Sequence, residues 1–278
     1  MEIPISLFVC LGISAALAVG LPIVLAIYGK VRWRAAFPLR AAALGALSFV
    51  IAVLVLESLL HSVVFSAFPT LSLRPIPYTL YGCLAAGLFE ETARYLCLRL
   101  LCRRQGGSAA LGLAYGVGHG GIESLLLAGA PLVSSLATLA AVNGKTDAQL
   151  AALLGGQDMA DTLRSQVEAL STAPAWQNLL GGYERAVALA LHLALSVLVW
   201  MAASGRLPRW FVFVAMGLHA LANVPAALVQ CGVLRNPLLA EGLITLASGL
   251  AVWYVSALYA KCRTLPAAGG AAGGGQAP

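Results

Sequence analysis

Residues 4–28 read PISLFVCLGISAALAVGLPIVLAIY, an apolar run without a single charged side chain. A helix of about 20 residues crosses the hydrocarbon core of a bilayer, so this run is long enough to span a membrane. Similar runs follow at about 40–65, 78–101, 108–130, 185–203, 210–230 and 238–260. They do not show the alternating hydropathy of barrel strands. The pattern therefore predicts an all-α, polytopic transmembrane helix bundle of about seven spans.

The composition of the whole chain supports a membrane protein. Apolar residues make up 60% and charged residues 10% of the chain, whereas a soluble domain usually has about 45–50% and about 25%. A water-soluble protein of this length could not bury so much apolar surface, so the lipid bilayer is the first expected partner. The formal charge of +6 lies in short connections between apolar runs, which argues against a nucleic-acid partner.

The positions of Lys and Arg predict the orientation in the membrane. They cluster at 29–40, 99–104, 204–209 and 261–263, and cytoplasmic connections are enriched in these residues. The N-terminus is therefore expected outside and the C-terminus in the cytoplasm. We predict one transmembrane domain over 1–265, with an extracytoplasmic loop at 131–183 that contains short amphipathic helices. The Gly/Ala-rich tail at 266–278 is expected to be disordered.

The third span carries the first chemically informative group, Glu90-Glu91-Thr92-Ala93-Arg94. Charged side chains at the centre of a helix in hydrocarbon cost roughly 2.5–3.5 kcal/mol each on insertion scales, so they are rare unless paired or used. On a helix, Arg94 lies within reach of both carboxylates. It can neutralise one of them and leave the other for chemistry.

The fourth span contains a glycine-rich motif, Gly116-Val117-Gly118-His119-Gly120-Gly121-Ile122-Glu123. Tyr115, His119 and Glu123 are spaced i, i+4, i+8 and share one helix face. The four glycines remove side chains around the histidine, so another backbone or a substrate can approach closely.

Two later spans also carry polar residues. In the sixth span, His219 and Asn223 lie i, i+4 and can donate hydrogen bonds to a developing oxyanion. The fifth span opens with Glu184-Arg185 and contains His192. This histidine either supports the site or donates a hydrogen bond in helix packing. In the second span, Glu57 and His61 are expected near the outer end, within reach of water. At about 1.5 Å per residue, the third-, fourth- and sixth-span groups all fall near mid-membrane.

These motifs resemble the superfamily of CAAX prenyl proteases and bacteriocin-processing enzymes. An EExxR motif (Glu90, Glu91, Arg94), an aromatic-xxxH motif (Tyr115, His119) and an HxxxN motif (His219, Asn223) occur in that order. Tyr115 replaces the usual Phe. The GxGHGGxE stretch and the Glu184-Arg185 pair before His192 are more similar to the YhfC-type bacterial branch of intramembrane metalloproteases. The resemblance covers about 80–230.

The resemblance implies an intramembrane endopeptidase of the bacterial plasma membrane, acting on a membrane protein or a lipidated peptide. Glu90 would activate the water, with His119 sharing it, and Arg94 would hold Glu91. His219 and Asn223 would stabilise the oxyanion. Zinc-assisted and metal-free chemistry both stay open. Zinc takes about three protein ligands plus water, and the candidate ligands are His119 and His219 with Glu90 or Glu91.

Three alternatives to a protease stay open. Intramembrane Glu, His and Arg sets serve proton relays, so a proton- or ion-coupled transporter is one alternative, although no internal repeat is visible. A bis-histidine haem protein is another, since the four histidines lie on four different spans. A non-catalytic scaffold that keeps the superfamily fold is a third, although every matched motif position is filled.

Overall fold

A computed structural model describes residues 2–105, 107–172 and 174–263 of the chain. The predicted disorder of 266–278 lies outside the described residues. Eleven α-helices run through the described part. They are α1 (Ile5–Trp33), α2 (Leu39–Phe49), α3 (Ser58–Ala67), α4 (Pro75–Gln105), α5 (Ala109–Ser124), α6 (Ala130–Val142), α7 (Asp147–Leu154), α8 (Gln157–Thr172), α9 (Asn178–Ala203), α10 (Phe211–Gln230) and α11 (Pro237–Cys262).

The membrane spans agree with the hydropathy pattern. Among the described residues, six helical segments are long and apolar enough to cross a bilayer. These are Ile5–Ala36, Leu39–Ala67, Ala109–Val142, Ala175–Ala203, Phe211–Gln230 and Pro237–Cys262. Helix α4 carries the Glu90–Arg94 motif and corresponds to the predicted third span, which brings the number of spans to seven. It packs against α2 and α10. The all-helical, multi-pass membrane fold is confirmed, and the orientation of the termini stays a prediction.

Two of the spans contain π-helical segments. Val50–Glu57 joins α2 to α3, and Leu125–Gly129 joins α5 to α6. Because the helix runs on through Leu125–Gly129, the fourth span does not end near residue 130 but continues to Val142. Pro131 would normally interrupt a helix. Here it directly follows the π-helical segment, where the backbone hydrogen-bonding pattern has already changed, so the helix continues beyond it.

The described chain divides into two compact units. The first unit comprises 2–21 and 124–186. Its core contains side chains from α1, α6, α7 and α8 and from Ile3 just before α1: Ile3, Leu7, Leu11, Leu139, Val142, Leu150, Ala160 and Val167. Thr146 begins α7 with a capping box in which its hydroxyl accepts from the Gln149 amide. The short helices expected in this region are therefore present, and their place outside the membrane, like the single domain over 1–265, stays a prediction.

The second unit comprises 22–123 and 187–263. Its apolar core draws on α4, α5, α9, α10 and α11 and includes Leu98, Tyr115, Leu195, Trp200 and Ala215. Close approach between helices depends on glycine at several points. A Cβ on Gly45 would overlap the carbonyl oxygen of Tyr115, and one on Gly118 would overlap that of Ala42. The glycines therefore allow α2 and α5 to pack backbone against backbone.

Candidate active site

Helix α4 turns three ionisable side chains into the interior of the second unit. Glu90 is 6% exposed, and Glu91 and Arg94 are fully buried. Arg94 Nε lies 2.9 Å from Glu91 Oε2. A buried charge needs a partner of opposite sign and hydrogen bonds that replace water. Glu91 and Arg94 provide each other with that partner, and Glu90 faces a different set of side chains.

Arg94 also joins α4 to α9. Its Nη1 donates to the His192 carbonyl at 3.0 Å and to the Ser196 hydroxyl at 2.5 Å. Its Nη2 lies 2.9 Å from His192 Nδ1. A guanidinium only donates hydrogen bonds, so His192 Nδ1 accepts. The proton of a neutral His192 therefore sits on Nε2, which pairs with the Glu123 carboxylate.

Helix α5 brings His119 to Glu90. His119 Nε2 lies 2.8 Å from Glu90 Oε2. The Phe49 ring makes a T-shaped contact with the imidazole at a centroid distance of 5.3 Å, and the Tyr115 ring stacks on it at 5.8 Å. Tyr115 is itself held by a 2.5 Å hydrogen bond to Ser48. His119 is thus held by two aromatic contacts and by a carboxylate at Nε2.

Helix α10 supplies the remaining predicted residues. His219 Nδ1 lies 2.8 Å from Glu91 Oε1, and its Nε2 lies 3.7 Å from Glu90 Oε1. Because Glu91 is the charged partner of Arg94, its carboxylate accepts and His219 Nδ1 donates. Nε2 of His219 therefore faces Glu90. Asn223 is half-buried one turn further on, and its amide makes no hydrogen bond within the described residues.

Three histidines converge around Glu90. The ring centroids of His119 and His192 are 5.1 Å apart, and those of His192 and His219 are 5.3 Å apart. Potential ligand atoms of Glu90, His192 and His219 all lie within 4.8 Å of one another. Sequence reasoning placed His192 among the supporting residues, whereas the structure places it between the other two histidines. The Glu184-Arg185 pair upstream was the only sequence signal for it.

Glu184 and Arg185 belong to the first unit, where their side chains form an ion pair with each other. A supporting role of Glu184 and Arg185 in the site therefore stays a prediction. Glu123, by contrast, pairs with His192, a contact that its spacing from His119 did not predict.

The structure corrects the expectation that Glu57 lies within reach of water. Its side chain is buried and only 5% of the residue is exposed, at the end of the first π-helical segment. His61 Nε2 lies 3.4 Å from one of its carboxylate oxygens, and His61 Nδ1 is bonded to the Tyr81 hydroxyl at 2.6 Å. Glu57 also interacts electrostatically with His219. The π-helical turn, which hydropathy does not reveal, rotates Glu57 inward.

Comparisons with known proteins place this arrangement in context. Residues 17–244 match the sequence model of a family described as YhfC intramembrane metalloprotease. The chain is 36% identical over 250 residues to a Bacillus subtilis protein described as uncharacterized membrane protein YhfC. The alignment covers 89% of this chain and 94% of that relative. No solved structure shows significant similarity to the chain.

Proposed function

This chain belongs to the YhfC intramembrane metalloprotease family, and from that premise we propose that it is an intramembrane endopeptidase that hydrolyses a peptide bond in a membrane-associated substrate. One observation carries the proposal. Arg94 neutralises Glu91, while the neighbouring Glu90 contacts His119 at 2.8 Å and lies 3.7 Å from His219 Nε2. A buried carboxylate arranged in this way is suited to accept a proton from water.

Glu90 acts as the general base in the proposed reaction. A peptide carbonyl is a weak electrophile, so the attacking water must lose a proton as its oxygen bonds to the carbonyl carbon. That proton moves to the Glu90 carboxylate, and the carbonyl oxygen becomes an oxyanion. Glu90 then returns the proton to the amide nitrogen as the C–N bond breaks, which leaves a carboxylic acid and an amine. His119 orients Glu90 through its 2.8 Å contact.

His219 and Asn223 are the proposed oxyanion donors. Glu91 fixes the orientation of the His219 ring through Nδ1. A protonated His219 has a second N–H at Nε2, and the uncommitted Asn223 amide provides another donor one turn away. Two preorganised donors of this kind typically contribute several kcal/mol to the transition state of acyl transfer. Arg94 contributes indirectly, because it holds Glu91 and thereby the His219 ring.

The same residues fit a zinc ion. A ligating histidine usually donates its other ring N–H to a carboxylate, and His219 makes such a bond to Glu91. His192 is close enough, but the hydrogen bond from Arg94 puts its proton on Nε2, so that nitrogen lacks a lone pair. In this zinc-assisted alternative, Glu90, His119 and His219 are the candidate ligands, and Glu90 and His219 Nε2 would hold the metal instead of serving as base and oxyanion donor. A zinc ion would polarise the peptide carbonyl and acidify the attacking water.

Transport and haem ligation are less well supported. All three buried histidines already contact carboxylates of Glu90, Glu91 or Glu123. No observation in the described part of the chain specifically favours either alternative.

Comparing protein N-termini in membranes that contain different variants tests the proposal. Bacterial membranes with the wild-type chain should accumulate new N-termini, identified by amine labelling and mass spectrometry. Glu90→Gln keeps the shape of the side chain but removes the base, so these termini should disappear. Glu168→Gln alters an exposed carboxylate in the first unit and serves as the matched control. Identical N-termini with the wild type and Glu90→Gln would refute the proposal.

A further inference from the structure

An apolar cavity lies apart from the buried carboxylates. It has a volume of about 440 Å³ and lies within the second unit between α1, α5, α9 and α11. Its walls are largely apolar and include Trp33, Ala109, Ala190, Ala194, Val252 and Tyr259. Ligand cavities commonly measure about 300–1,000 Å³. The proposed peptidase chemistry uses none of its lining residues.

The cavity is elongated along two of the helices. On α9 its lining runs from Ala190 to Val197, and on α11 from Val252 to Tyr259. At 1.5 Å per residue, each stretch is about 10 Å long, whereas the hydrocarbon core of a bilayer is about 30 Å thick. An apolar slot of this length, open on one side within a membrane-spanning fold, matches part of one acyl chain.

One end of the cavity is marked by positive charge. Trp33 lies between Arg32 and Arg34 at the end of α1, and Arg263 follows Tyr259 by one helical turn. All three arginines are exposed, and within the described residues none of them forms an ion pair. None of the eleven acidic residues of the chain falls at 29–40, 99–110 or 253–263. This end therefore complements an anionic group.

The turn that presents these arginines has an unusual backbone. Arg34 has a φ of 48°, a left-handed conformation that side chains other than glycine rarely adopt. Phe37 fixes the turn, because its ring lies against Gly29, where a Cβ would overlap it. Phe37 also stacks on Trp33 at a centroid distance of 6.1 Å. Backbone strain of this kind is often found where a ligand is held.

We propose that this cavity binds one anionic phospholipid of the surrounding membrane. One acyl chain lies along Ala190, Ala194 and Val252, and the phosphate meets the arginines at the Trp33 end. The lipid contacts the face of α9 opposite to Ser196 and His192. Lipid binding therefore stabilises α9, which also contributes His192 to the buried cluster. The lipid takes no part in the chemistry of that cluster.

Lipid binding to the delipidated full-length protein in detergent tests this proposal. Thermal unfolding is followed as phosphatidylglycerol or phosphatidylcholine with identical acyl chains is added, and inorganic phosphate is added alone in a parallel series. We expect a saturable rise in Tm with phosphatidylglycerol, and little change with the other two. Equal shifts with phosphatidylcholine, a full shift with phosphate alone, or no saturable shift would each overturn the proposal.

Variants locate the site. Ala190→Phe fills the slot, and the double variant Arg32→Gln/Arg34→Gln removes charge at its end. Each should weaken the apparent affinity for phosphatidylglycerol at least tenfold. Ala260→Phe, at an exposed position of α11 outside the cavity, and Arg74→Gln, at an exposed arginine elsewhere, should bind as the wild type does. Lipid-free melting of every variant verifies folding, and unchanged affinity in both site variants would contradict the assignment.

Discussion

The pairing of Glu91 with Arg94 leads to a quantitative prediction about stability. Arg94 is fully buried and makes the ion pair to Glu91 together with three hydrogen-bond contacts to α9. Removing one member of a buried ion pair usually destabilises a protein by about 3–5 kcal/mol, because the other charge is left uncompensated. We therefore expect Arg94→Gln and Glu91→Gln each to lower the free energy of unfolding by about 3–5 kcal/mol.

The double variant separates the ion pair from the other contacts. When both charges are removed, no unpaired charge remains, and the remaining loss is that of hydrogen bonds worth about 0.5–1.5 kcal/mol each. The double variant should therefore be less destabilised than the sum of the two single variants by about 2–3 kcal/mol. The free energy of unfolding is measured by titration with a denaturing detergent in mixed micelles.

An exposed ion pair provides the control. Arg164 pairs with Asp147 in the first unit, where both side chains are partly solvent-accessible. Surface pairs contribute about 0–1 kcal/mol, so Arg164→Gln should change stability by less than about 1 kcal/mol. The reasoning is refuted if Arg94→Gln costs no more than this control. Additive effects of the two buried substitutions, within about 0.5 kcal/mol, would refute it as well.

Three further predictions concern packing, metal binding and helix capping. Gly118→Ala should destabilise the protein by about 1–3 kcal/mol because its Cβ meets backbone, whereas Gly217→Ala has open space and should cost nothing in the same unfolding titration. If the chain binds zinc, purified wild type and His192→Gln should each contain about one zinc ion per chain by elemental analysis, and His219→Ala should contain none; zinc lost only from His192→Gln would contradict the ligand assignment. Thr146→Ala removes the α7 cap and should lower stability by about 1 kcal/mol; an unchanged midpoint would show that the cap is dispensable.

Much of the architecture was predictable because the bilayer imposes simple rules. Spans need long apolar runs, and an intramembrane charge needs a partner, so helical spacing predicted that Arg94 pairs with one of the two glutamates; the structure identifies Glu91 as that partner. The glycines around His119 likewise predicted close backbone contact, and Gly118 against Ala42 confirms it. The meeting of α4, α5 and α10 at one depth was expected from counting residues, and the structure brings Glu90 and His219 together accordingly.

Other features depended on tertiary contacts that hydropathy does not contain. The central position of His192 follows from its hydrogen bonds to Arg94, which is 98 residues away in sequence. Burial of Glu57 follows from a π-helical turn, and no residue pattern in that apolar stretch marks it. The extension of the fourth span past Pro131 has the same cause. In the last two cases a local change in helix geometry overrides the simple periodicity of an α-helix.

Hydrolysis by Glu90 is the central claim, and isotope incorporation tests it most directly. Purified protein is reconstituted in liposomes with a substrate identified from the N-terminal comparison, in water enriched in ¹⁸O. The account predicts one ¹⁸O atom in the new C-terminal carboxylate. It also predicts a rate that falls about 10²–10⁴-fold in Glu90→Gln, the usual contribution of a general base. Cleavage by Glu90→Gln at the wild-type rate, or a product without ¹⁸O, would contradict it.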